Sequence, residues 1–450
     1  MSKKLTDIFL EGLIKKSESI PSHVMEQVRK CLMDYMGVVA GGAQYLLQQH
    51  PEYFSTLVQE QGDCSVFGTP CKTSMLNAAL LNGFSAHVLE LDDGHRFGMI
   101  HLGASIISAV LVVAEKENLL QNDVMRGIVM GYETAIRCAC SLQPGHKVRG
   151  YHVSGTCGTI GSALGVAFAR GYGKTRLKST LDCAVTSAAA LLEIQEETSE
   201  LKPYNLGRAA TDGVAAAMMG SLALSGPDDI LGGKRGLLSV LTDTPTPKFL
   251  TNFSSESYGI EGIYQKLYAA CRHCHPAIEA ALSLRNDFQA VPRQIQKVEV
   301  HTYKLAVCGH DHKDIKGMSS AKLSIPFSVA LSLVKGNAGY ADFNEENLHD
   351  EEILSLARRV GIFEDELLTS LSPQKRAAKV VIFTEKGVFE KRVDYPKGEP
   401  ENPLSQQELE DKFRGLAMYG GLSATECDEI ISEVWKERID LNKITNIICK

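Results

Sequence analysis

The sequence predicts a mainly α-helical protein with two domains, a large all-helical domain and a smaller α+β domain inserted before the C-terminal helices. Three observations support this prediction. The first 267 residues are rich in Ala, Gly and Leu and carry apolar side chains at helical spacing. Alternating β-branched runs begin only after residue 268, and two further helical patterns follow residue 405. We therefore assign residues 1–267 and 399–450 to the helical domain and residues 268–398 to the α+β domain.

Apolar spacing and stop signals define the elements of the helical domain in chain order. Apolar residues from Leu5 to Lys16 predict a helix that ends before Ile20-Pro21. The next helix is predicted from His23 through Val39, with Gly41-Gly42 as its end. Further helices are predicted over Thr73–Leu91, His101–Glu117, Asn122–Ser141, Gly155–Tyr172, Arg176–Glu196, Gly207–Leu224, Ser405–Gly415 and Thr425–Lys436.

The α+β domain is predicted from three runs of alternating apolar and polar residues. Residues Ile295–Tyr303 alternate as a half-buried strand does. The runs Val380–Thr384 and Val388–Val393 are joined by Glu385-Lys386-Gly387, which predicts a hairpin. Helical patterns lie between these strands, and a segment with two prolines, residues 397–403, leads back to the helical domain.

Composition and charge exclude several classes of partner. The 450 residues include 47 Lys and Arg against 54 Asp and Glu, and this net charge of -7 offers no general attraction for nucleic acid or anionic lipid. The longest apolar run, Leu102–Ala114, is shorter than the roughly 20 residues of a membrane span, and the N-terminus resembles an amphipathic helix rather than a signal peptide. We therefore expect a cytoplasmic protein without nucleic-acid or membrane partners. Its 12 cysteines lack framework spacing and are expected to be reduced.

The segment KLYAACRHCHP, from Lys266 to Pro276, lies where the two predicted domains join, which is a common location for small-molecule sites. It holds two cations, two thiols and two imidazoles: Lys266, Arg272, Cys271, Cys274, His273 and His275. The thiols and imidazoles are metal-ligand types, and His310 and His312 could supplement them, so a metal-binding or redox regulatory protein is an alternative function. Against a metal, the sequence has no second Cys-x-x-Cys, and Arg272 between the thiols would repel a cation.

A turn between two predicted helices combines carboxylates and imidazoles. It reads Glu90-Leu91-Asp92-Asp93-Gly94-His95 and is followed by His101. Histidine is the side chain best suited to move protons near neutral pH, so this turn is a candidate for acid–base chemistry. The alternative is a solvated acidic loop in which one Asp caps a helix.

Hydroxyls and glycines between Gly150 and Gly161 precede a predicted helix, whose first N–H groups would suit a carboxylate. Alternatively, Gly158, Gly161 and Gly165 only allow close helix packing. The glycine spacing matches no nucleotide-binding fingerprint, so nucleotide binding is excluded. Lys202 lies just before another helix start, although a lone lysine is usually a solvated surface residue.

In this order, these segments resemble the MmgE/PrpD family, which includes 2-methylcitrate dehydratase, cis-aconitate decarboxylase and iminodisuccinate epimerase. The resemblance runs nearly end to end. It rests on Ile20-Pro21 with Asp34-Tyr35-Met36-Gly37, His101-Leu102-Gly103-Ala104, Gly150-Tyr151-His152 to Gly158, Lys202-Pro203 with Gly207-Arg208-Ala209-Ala210, Lys266 to His275, Ser324-Ile325-Pro326-Phe327, and Pro396-Lys397-Gly398 to Asn402-Pro403-Leu404. It implies a large helical domain with a smaller α+β lid, a homodimer, a small polycarboxylate substrate, and catalysis without a metal or organic cofactor.

The resemblance also implies roles for individual residues. The candidate catalytic residues are Asp93, His101, His152, Lys202, Lys266 and Cys271. The candidate substrate-binding residues are Glu90, Asp92, Ser154, Thr156, Arg272, His273 and His275. Removing a proton next to a carboxylate creates an enolate with two negative charges, which the lysines, the arginine and the helix start would stabilise while a histidine carries the proton.

Three positions depart from the family's dehydratases and decarboxylases. Gly94 stands where those members commonly have Thr, and Phe327 stands where many have Tyr. Cys271 falls roughly where the decarboxylase has a histidine, and Arg272 and His273 beside it would lower the pKa of its thiol. We therefore expect a lyase, a dehydratase or decarboxylase, that abstracts an α-proton from a small di- or tricarboxylate. The alternative is an epimerase, in which Cys271 and a histidine carry protons on opposite faces of one carbon.

Overall fold

The structure is a computed structural model that describes residues 3–58, 61–195, 199–253, 256–288 and 292–450. The chain is mainly α-helical with few strands, which confirms the predicted fold class. It divides into two compact units. Unit 1 comprises Met1–Ile194, Leu201–Tyr264 and Ser405–Lys450, and unit 2 comprises Gln195–Glu200 and Gln265–Leu404.

Unit 1 begins with a long run of helices. They are α1 (Leu5–Ser17), α2 (Ser22–Gln49), α3 (Glu52–Val58), α4 (Met75–Val88), α5 (Gly103–Glu117), α6 (Gln121–Leu142), α7 (Gly145–Val148), α8 (Val153–Ala169), α9 (Lys174–Ser187), α10 (Tyr204–Gly220), α11 (Leu237–Leu241) and α12 (Lys248–Thr251). Two small antiparallel pairs accompany them, β1 (Cys64–Ser65) with β2 (Lys72–Thr73) and β3 (Gly94–His95) with β4 (Ile263–Tyr264). The sequence pattern gave no signal for these two-residue strands.

Helix α8 lies at the centre of unit 1, where all of its residues are buried against α5, α6, α9 and α10. Glycines let α6 approach it closely. A Cβ at Gly161 would lie 2.6 Å from the Ala135 Cβ and 2.8 Å from the Gly131 carbonyl oxygen. Gly165 faces Gly127 and Gly131 in the same way. These two glycines therefore serve helix packing, as one of the two interpretations of the sequence proposed.

The predicted end of the second helix at Gly41-Gly42 is wrong, because α2 continues to Gln49. The reason is again a close approach between helices. A Cβ at Gly42 would lie 1.8 Å from the carbonyl oxygen of Ser85 on α4. Glycine is needed here because two backbones meet, and it does not end the helix.

The predicted helix Arg176–Glu196 is too long, and its last residue lies outside the described residues. Helix α9 ends at Ser187 because the next residues pair with the segment before α8. The His152 N–H donates to the Ala190 carbonyl at 3.1 Å, and the Leu192 N–H donates to the Gly150 carbonyl at 2.8 Å. The predicted helix Gly207–Leu224 also has shifted ends, since α10 begins at Tyr204 and ends at Gly220.

Unit 2 combines short helices with one sheet. Its elements are α13 (His275–Phe288), β5 (Ile295–Thr302), α14 (Lys304–Val307), α15 (Met318–Leu323), α16 (Ile325–Lys335), α17 (Glu345–Leu348), α18 (Glu351–Arg358), β6 (Val360–Glu364), α19 (Glu366–Leu371), β7 (Ala378–Thr384) and β8 (Gly387–Val393). The strand order is β6-β5-β7-β8, with β6 parallel to β5 and the other neighbours antiparallel. The predicted strand and hairpin are confirmed, whereas the edge strand β6 was missed.

The chain then returns to unit 1 through α20 (Gln406–Tyr419), α21 (Ala424–Val434) and α22 (Leu441–Ile448). Helix α20 packs against α2, where a Cβ at Gly37 would lie 3.1 Å from the Phe413 Cα. In the part of the chain that the structure describes, no helix is long and apolar enough to span a bilayer.

Candidate functional site

The predicted acidic turn holds a group of ionisable side chains in unit 1. We call this group the acidic-turn cluster, and it consists of His87, Glu90, Asp92, His101 and Lys202. The turn runs from the end of α4 to the start of α5, and it is braced from α20. Lys412 pairs with Asp34 at 2.5 Å and donates to the Leu91 carbonyl at 2.7 Å. The cluster is therefore built on packed helices rather than on a solvated loop.

Asp92 lies between the two imidazoles of the cluster. The His87 Nδ1 donates to both Asp92 oxygens, at 2.8 and 2.9 Å, and the His101 Nδ1 lies 3.3 Å from Asp92 Oδ2. Burial alone would raise the pKa of Asp92, but both histidines outweigh it and hold the pKa well below its usual range. Burial would likewise lower the pKa of His87, but Asp92 and Glu90 raise it overall. His87 and Asp92 thus form a buried ion pair.

His101 is held in one tautomer. Its Nδ1 lies 2.9 Å from the Asp93 carbonyl oxygen and 3.3 Å from Asp92 Oδ2, and both of these oxygens can only accept. Nδ1 therefore carries the proton, and Nε2 is the ring nitrogen that can take another. The side chain of His101 is 13% exposed, whereas that of His87 is fully buried. His101 is therefore the imidazole of the pair that a substrate can reach.

Glu90 connects Lys202 to the rest of the cluster. Its Oε1 pairs with the Lys202 Nζ and lies 3.3 Å from the His87 Nε2. Glu90 adopts a left-handed backbone with φ of 56°, which is uncommon for residues other than glycine and is often found at functional sites. Lys202 is therefore a held cation and not the solvated surface lysine that the sequence also allowed.

The Asp93 side chain points to other partners. It accepts from the Tyr132 hydroxyl at 2.6 Å and from the Gly103 N–H at 2.8 Å, so it caps α5. Burial raises the pKa of Asp93 to about 7, although both hydrogen bonds oppose this shift. The pKa values of the adjacent residues Asp92 and Asp93 are thus shifted in opposite directions. The catalytic role expected of Asp93 stays a prediction, and its contacts here are those of a helix cap.

His152 lies at the start of α8 and is buried in a neutral state. Burial is the main cause that holds the pKa of His152 well below its usual range, and Lys202, His87 and the protonated form of His101 lower it further. The Asn205 amide nitrogen lies 2.9 Å from the His152 Nδ1 and 3.5 Å from the Leu191 carbonyl oxygen. Since that amide donates to Nδ1, the proton of His152 is on Nε2. His152 is therefore a neutral hydrogen-bond donor.

The two predicted hydroxyls at the start of α8 have protein partners. The Ser154 hydroxyl accepts from the His101 N–H at 3.0 Å, so it positions the backbone of that histidine. The Thr156 hydroxyl contacts the His146 Nε2 at 2.8 Å, while the His146 Nδ1 donates to the Leu241 carbonyl at 3.1 Å. Mainly through burial, the pKa of His146 is lowered to about 4. Ser154 therefore positions His101, Thr156 is engaged with His146, and the substrate-binding roles expected of both stay predictions.

A second group of reactive side chains lies in unit 2. We call it the thiol cluster, and it consists of Cys271, His273, Tyr303 and His310. The Cys271 Sγ lies 3.3 Å from the His310 Nε2, and the His273 Nδ1 lies 2.5 Å from the Tyr303 hydroxyl. The two imidazole rings are 4.9 Å apart, centroid to centroid.

Arg272 and His275 belong to a separate buried network. The Arg272 guanidinium donates to Glu399 at 2.9 and 3.1 Å and to the His275 Nδ1 at 2.8 Å. The His275 Nε2 in turn donates to the Ala270 carbonyl at 3.1 Å. Lys266, at the start of unit 2, is fully buried. The substrate-binding roles of Arg272 and His275 stay predictions, since the contacts described here are internal.

The metal alternative involves only part of the residue set that the sequence suggested. Cys274 is buried, with its sulfur 3.8 Å from the Leu323 carbonyl oxygen. Cys271 and His273 are instead joined by His310, and the ligand-type atoms of these three residues lie within 4.8 Å of one another. Arg272, which counted against a cation, is neutralised by Glu399.

Sequence reasoning missed His87 and Tyr303 of these clusters, and also Asn205, which contacts His152. His87 lies inside α4, where a histidine resembles any other polar residue of a buried helix. Tyr303 was noted only as the last residue of a predicted strand. His310, which the sequence offered with His312 as a supplementary metal ligand, is 39 residues away from Cys271 along the chain. Asn205 lies at the start of α10, two residues before the predicted start of that helix. For His87, its position three residues before Glu90 was a signal that could have linked it to the acidic turn. The other missed residues had no such signal in the sequence.

Comparison with protein families gives two matches along the chain. The model of the MmgE/PrpD N-terminal domain matches residues 14–250, and the model of the MmgE/PrpD C-terminal domain matches residues 268–437. Both clusters lie within the matched ranges.

Curated proteins similar to this chain include two decarboxylase relatives and a dehydratase. A cis-aconitate decarboxylase-like protein of Aspergillus oryzae is 23% identical over 89% of this chain and 88% of its own length. The cis-aconitate decarboxylase of Homo sapiens is 22% identical, covering 93% of this chain and 88% of that protein. The 2-methylcitrate dehydratase of Salmonella typhimurium is 26% identical over 74% of this chain and 72% of its own length.

Proposed function

The chain belongs to the MmgE/PrpD family, and we propose that it is a cofactor-independent lyase that abstracts an α-proton from a small di- or tricarboxylate. The names of the similar proteins reported above refer to cis-aconitate or 2-methylcitrate, which supports a polycarboxylate substrate. Their identities of 22–26% leave the particular substrate open.

The orientation of His101 carries this proposal. A general base needs an unprotonated nitrogen facing the substrate and a second group that holds the ring in place. In His101 the Asp93 carbonyl and the Asp92 carboxylate hold the Nδ1 proton, so Nε2 is the accepting atom. The Asp92 carboxylate also stabilises the imidazolium that forms when His101 takes a proton.

The neighbouring groups suit the charge that develops on the substrate. When the C–H bond breaks, its proton moves to the His101 Nε2 and the electron pair delocalises into the adjacent carboxylate. The neutral His152 offers its Nε2–H to such an oxygen, and a neutral imidazole can stabilise an enolate in this way. Lys202 adds a positive charge whose position is fixed by Glu90. Dehydration follows when the electron pair forms a double bond and a hydroxyl group leaves with a proton as water.

Incubation with candidate polycarboxylates in heavy water tests the proposal. Products would be followed by NMR, which detects both elimination and deuterium at the α-carbon. The lyase proposal expects loss of water or carbon dioxide together with dependence on His101. Deuterium in recovered or inverted substrate without any elimination would contradict it.

The second candidate is an epimerase acting on a substrate such as iminodisuccinate, and the contact between Cys271 and His310 favours it. Epimerisation needs two proton carriers for one carbon atom, and a thiol whose proton an adjacent imidazole can take is a group of that kind. In heavy water, this activity would give inverted substrate with one solvent deuterium and no elimination product.

We further propose that the protein works in the cytoplasm as a homodimer, without metal or organic cofactor and without nucleic-acid or membrane partners. Exposed apolar side chains at the end of α10 and just beyond it support association of two copies: Met218, Met219, Leu222 and Leu224. Light scattering of the purified protein tests the homodimer, and a mass of 49.0 kDa, that of one chain, would contradict it.

A further inference from the structure

The thiol of Cys271 differs from the other cysteines of unit 2 in its surroundings. Cys274, three residues later, is fully buried, and its sulfur faces the Lys322 and Leu323 carbonyls at 4.0 and 3.8 Å. Cys308 is exposed. Cys271 is half-buried and has an imidazole nitrogen 3.3 Å from its sulfur. It is therefore both reachable and in contact with a base.

His310 is oriented to accept the proton of this thiol. The His310 Nδ1 donates to the Cys308 carbonyl at 3.0 Å, so the Nε2 that faces Cys271 carries a lone pair. The backbone that carries the thiol is also fixed, because the Cys271 N–H donates to the Lys322 carbonyl at 2.8 Å. A nucleophile, a base within reach and a third group that orients the base are the arrangement that activates cysteines.

The rest of the cluster supports the same arrangement. His273 lies beside His310 and is held by the buried Tyr303 hydroxyl. Burial raises the pKa of Tyr303, so this group stays a neutral phenol and does not compete with the thiol as an anion. The other ionisable neighbours of Tyr303 are Arg376, Glu399 and Cys274. The carboxylate among them, Glu399, is paired with Arg272.

We infer that Cys271 and His310 form an activated thiol–imidazole pair, in which His310 is the positioning residue and Cys271 is the proton carrier. The S–H proton passes to the His310 Nε2, which leaves a thiolate and an imidazolium. The thiolate then takes a proton from carbon, so that a C–H bond breaks and an S–H bond forms, or the steps run in reverse. The role in turnover rests on the proposed function, whereas the activation of the thiol does not.

The test is the rate at which iodoacetamide alkylates individual cysteines of the native protein, read by peptide mass spectrometry in the presence of a chelator. The exposed Cys308 is the internal reference. At pH 7 we expect Cys271 to react about tenfold faster than Cys308 or more, despite its lower exposure. A Cys271 rate equal to or below that of Cys308 would overturn the inference.

His310→Gln tests the positioning role, and His312→Gln is its matched control. His312 lies on the same segment but contacts Ser320 instead of the thiol. We expect His310→Gln to slow alkylation of Cys271 about tenfold at pH 7 and to shift its pH profile upward, while His312→Gln leaves both unchanged. An unchanged profile in His310→Gln, with Cys274 still protected as a sign of intact folding, would show that His310 is only a packing residue.

The outcome also separates this inference from the proposed function. Fast alkylation that depends on His310, without turnover of any polycarboxylate, would support the pair and contradict the lyase. Turnover of a polycarboxylate by a protein whose Cys271 is unreactive would support the lyase and contradict the pair.

If His310→Gln unfolds, the buried Cys274 will become reactive and reveal it. In that case His310→Ala, which keeps Cys271, is alkylated with and without added imidazole to test whether an external base restores the fast reaction. Restored alkylation supports the inference, and its failure in folded His310→Ala overturns it.

Discussion

The acidic-turn cluster and the thiol cluster orient their imidazoles in different ways. In unit 1, the carboxylate of Asp92 holds His87 and lies beside His101, and the charges of the cluster separate the pKa of His87 from that of His152. In unit 2, His310 and His273 are held through Nδ1 by a backbone carbonyl and a phenol. A carboxylate partner stabilises an imidazolium, whereas a neutral partner only fixes the tautomer.

This difference suggests different chemical tasks. Charged partners suit a group that must hold a proton after abstraction, as His101 does in the proposed reaction. Neutral partners suit a thiol–imidazole pair whose proton passes back and forth. Substitution of a charged partner in unit 1, such as Asp92, should therefore change proton abstraction and stability together, whereas substitutions in the thiol cluster should change reactivity at little cost in stability.

The largest effect is expected from His101→Gln. Glutamine keeps a polar side chain but cannot take the α-proton, so turnover should fall about 10²–10⁴-fold. Steady-state kinetics on the substrate found in the heavy-water screen measures this loss. The melting temperature should stay near that of the parent, and a folded variant with parental turnover would remove His101 from the reaction.

The next largest effect is expected from Asp92→Asn, which should lower turnover by about 10²-fold or more and also reduce stability. The amide can neither stabilise an imidazolium on His101 nor neutralise the buried His87. Breaking a buried ion pair typically costs about 3–5 kcal/mol, which urea unfolding would detect. Parental stability and parental turnover in Asp92→Asn would contradict the assignment of an ion pair between Asp92 and His87.

Cys271→Ser should have a smaller effect, roughly tenfold on turnover, with urea unfolding unchanged. A serine hydroxyl is similar in size but is too weak an acid to replace the thiol. Cys274→Ser is the matched control in the same segment, and its turnover should equal that of the parent. Equal turnover in both variants would make Cys271 a packing residue.

The last effect concerns stability rather than turnover, through its pH dependence at Asp93. The pKa of Asp93 is about 7 in the folded protein against an ordinary value of 3.8, so the folded state binds more protons between these values. Stability should therefore fall as pH rises from about 4 to 7, and Asp93→Asn should flatten this part of the curve by about 1–4 kcal/mol. Urea unfolding at several pH values measures the slope. A parallel curve for the variant would contradict the raised pKa.

Helical periodicity predicted the fold class because both units bury long apolar faces, and it predicted β5 and the β7–β8 hairpin through strict alternation. It failed where tertiary contacts decide the backbone. Gly42 permits contact with Ser85 inside a continuous helix, and α9 ends early because Ala190 pairs with His152. No local pattern in the sequence contains those partners.

The site was predictable in its residue types but not in its pairings. The acidic turn, His152, Lys202 and Cys271 were identified from chemistry and from the family resemblance. The sequence offered a capping Asp and His310 only as alternatives, and it could not show that Asp93 is the cap or that His87 and His310 complete the two clusters. Those facts depend on contacts between residues up to 39 positions apart.

The most direct test of the central claim is exchange of the substrate α-proton with solvent in heavy water, followed by NMR for the parent, His101→Gln and Cys271→Ser. Exchange or elimination in the parent, its loss in His101→Gln and its persistence in Cys271→Ser are the results expected if His101 is the base. Undiminished exchange in folded His101→Gln would contradict the claim that the acidic-turn cluster abstracts the proton.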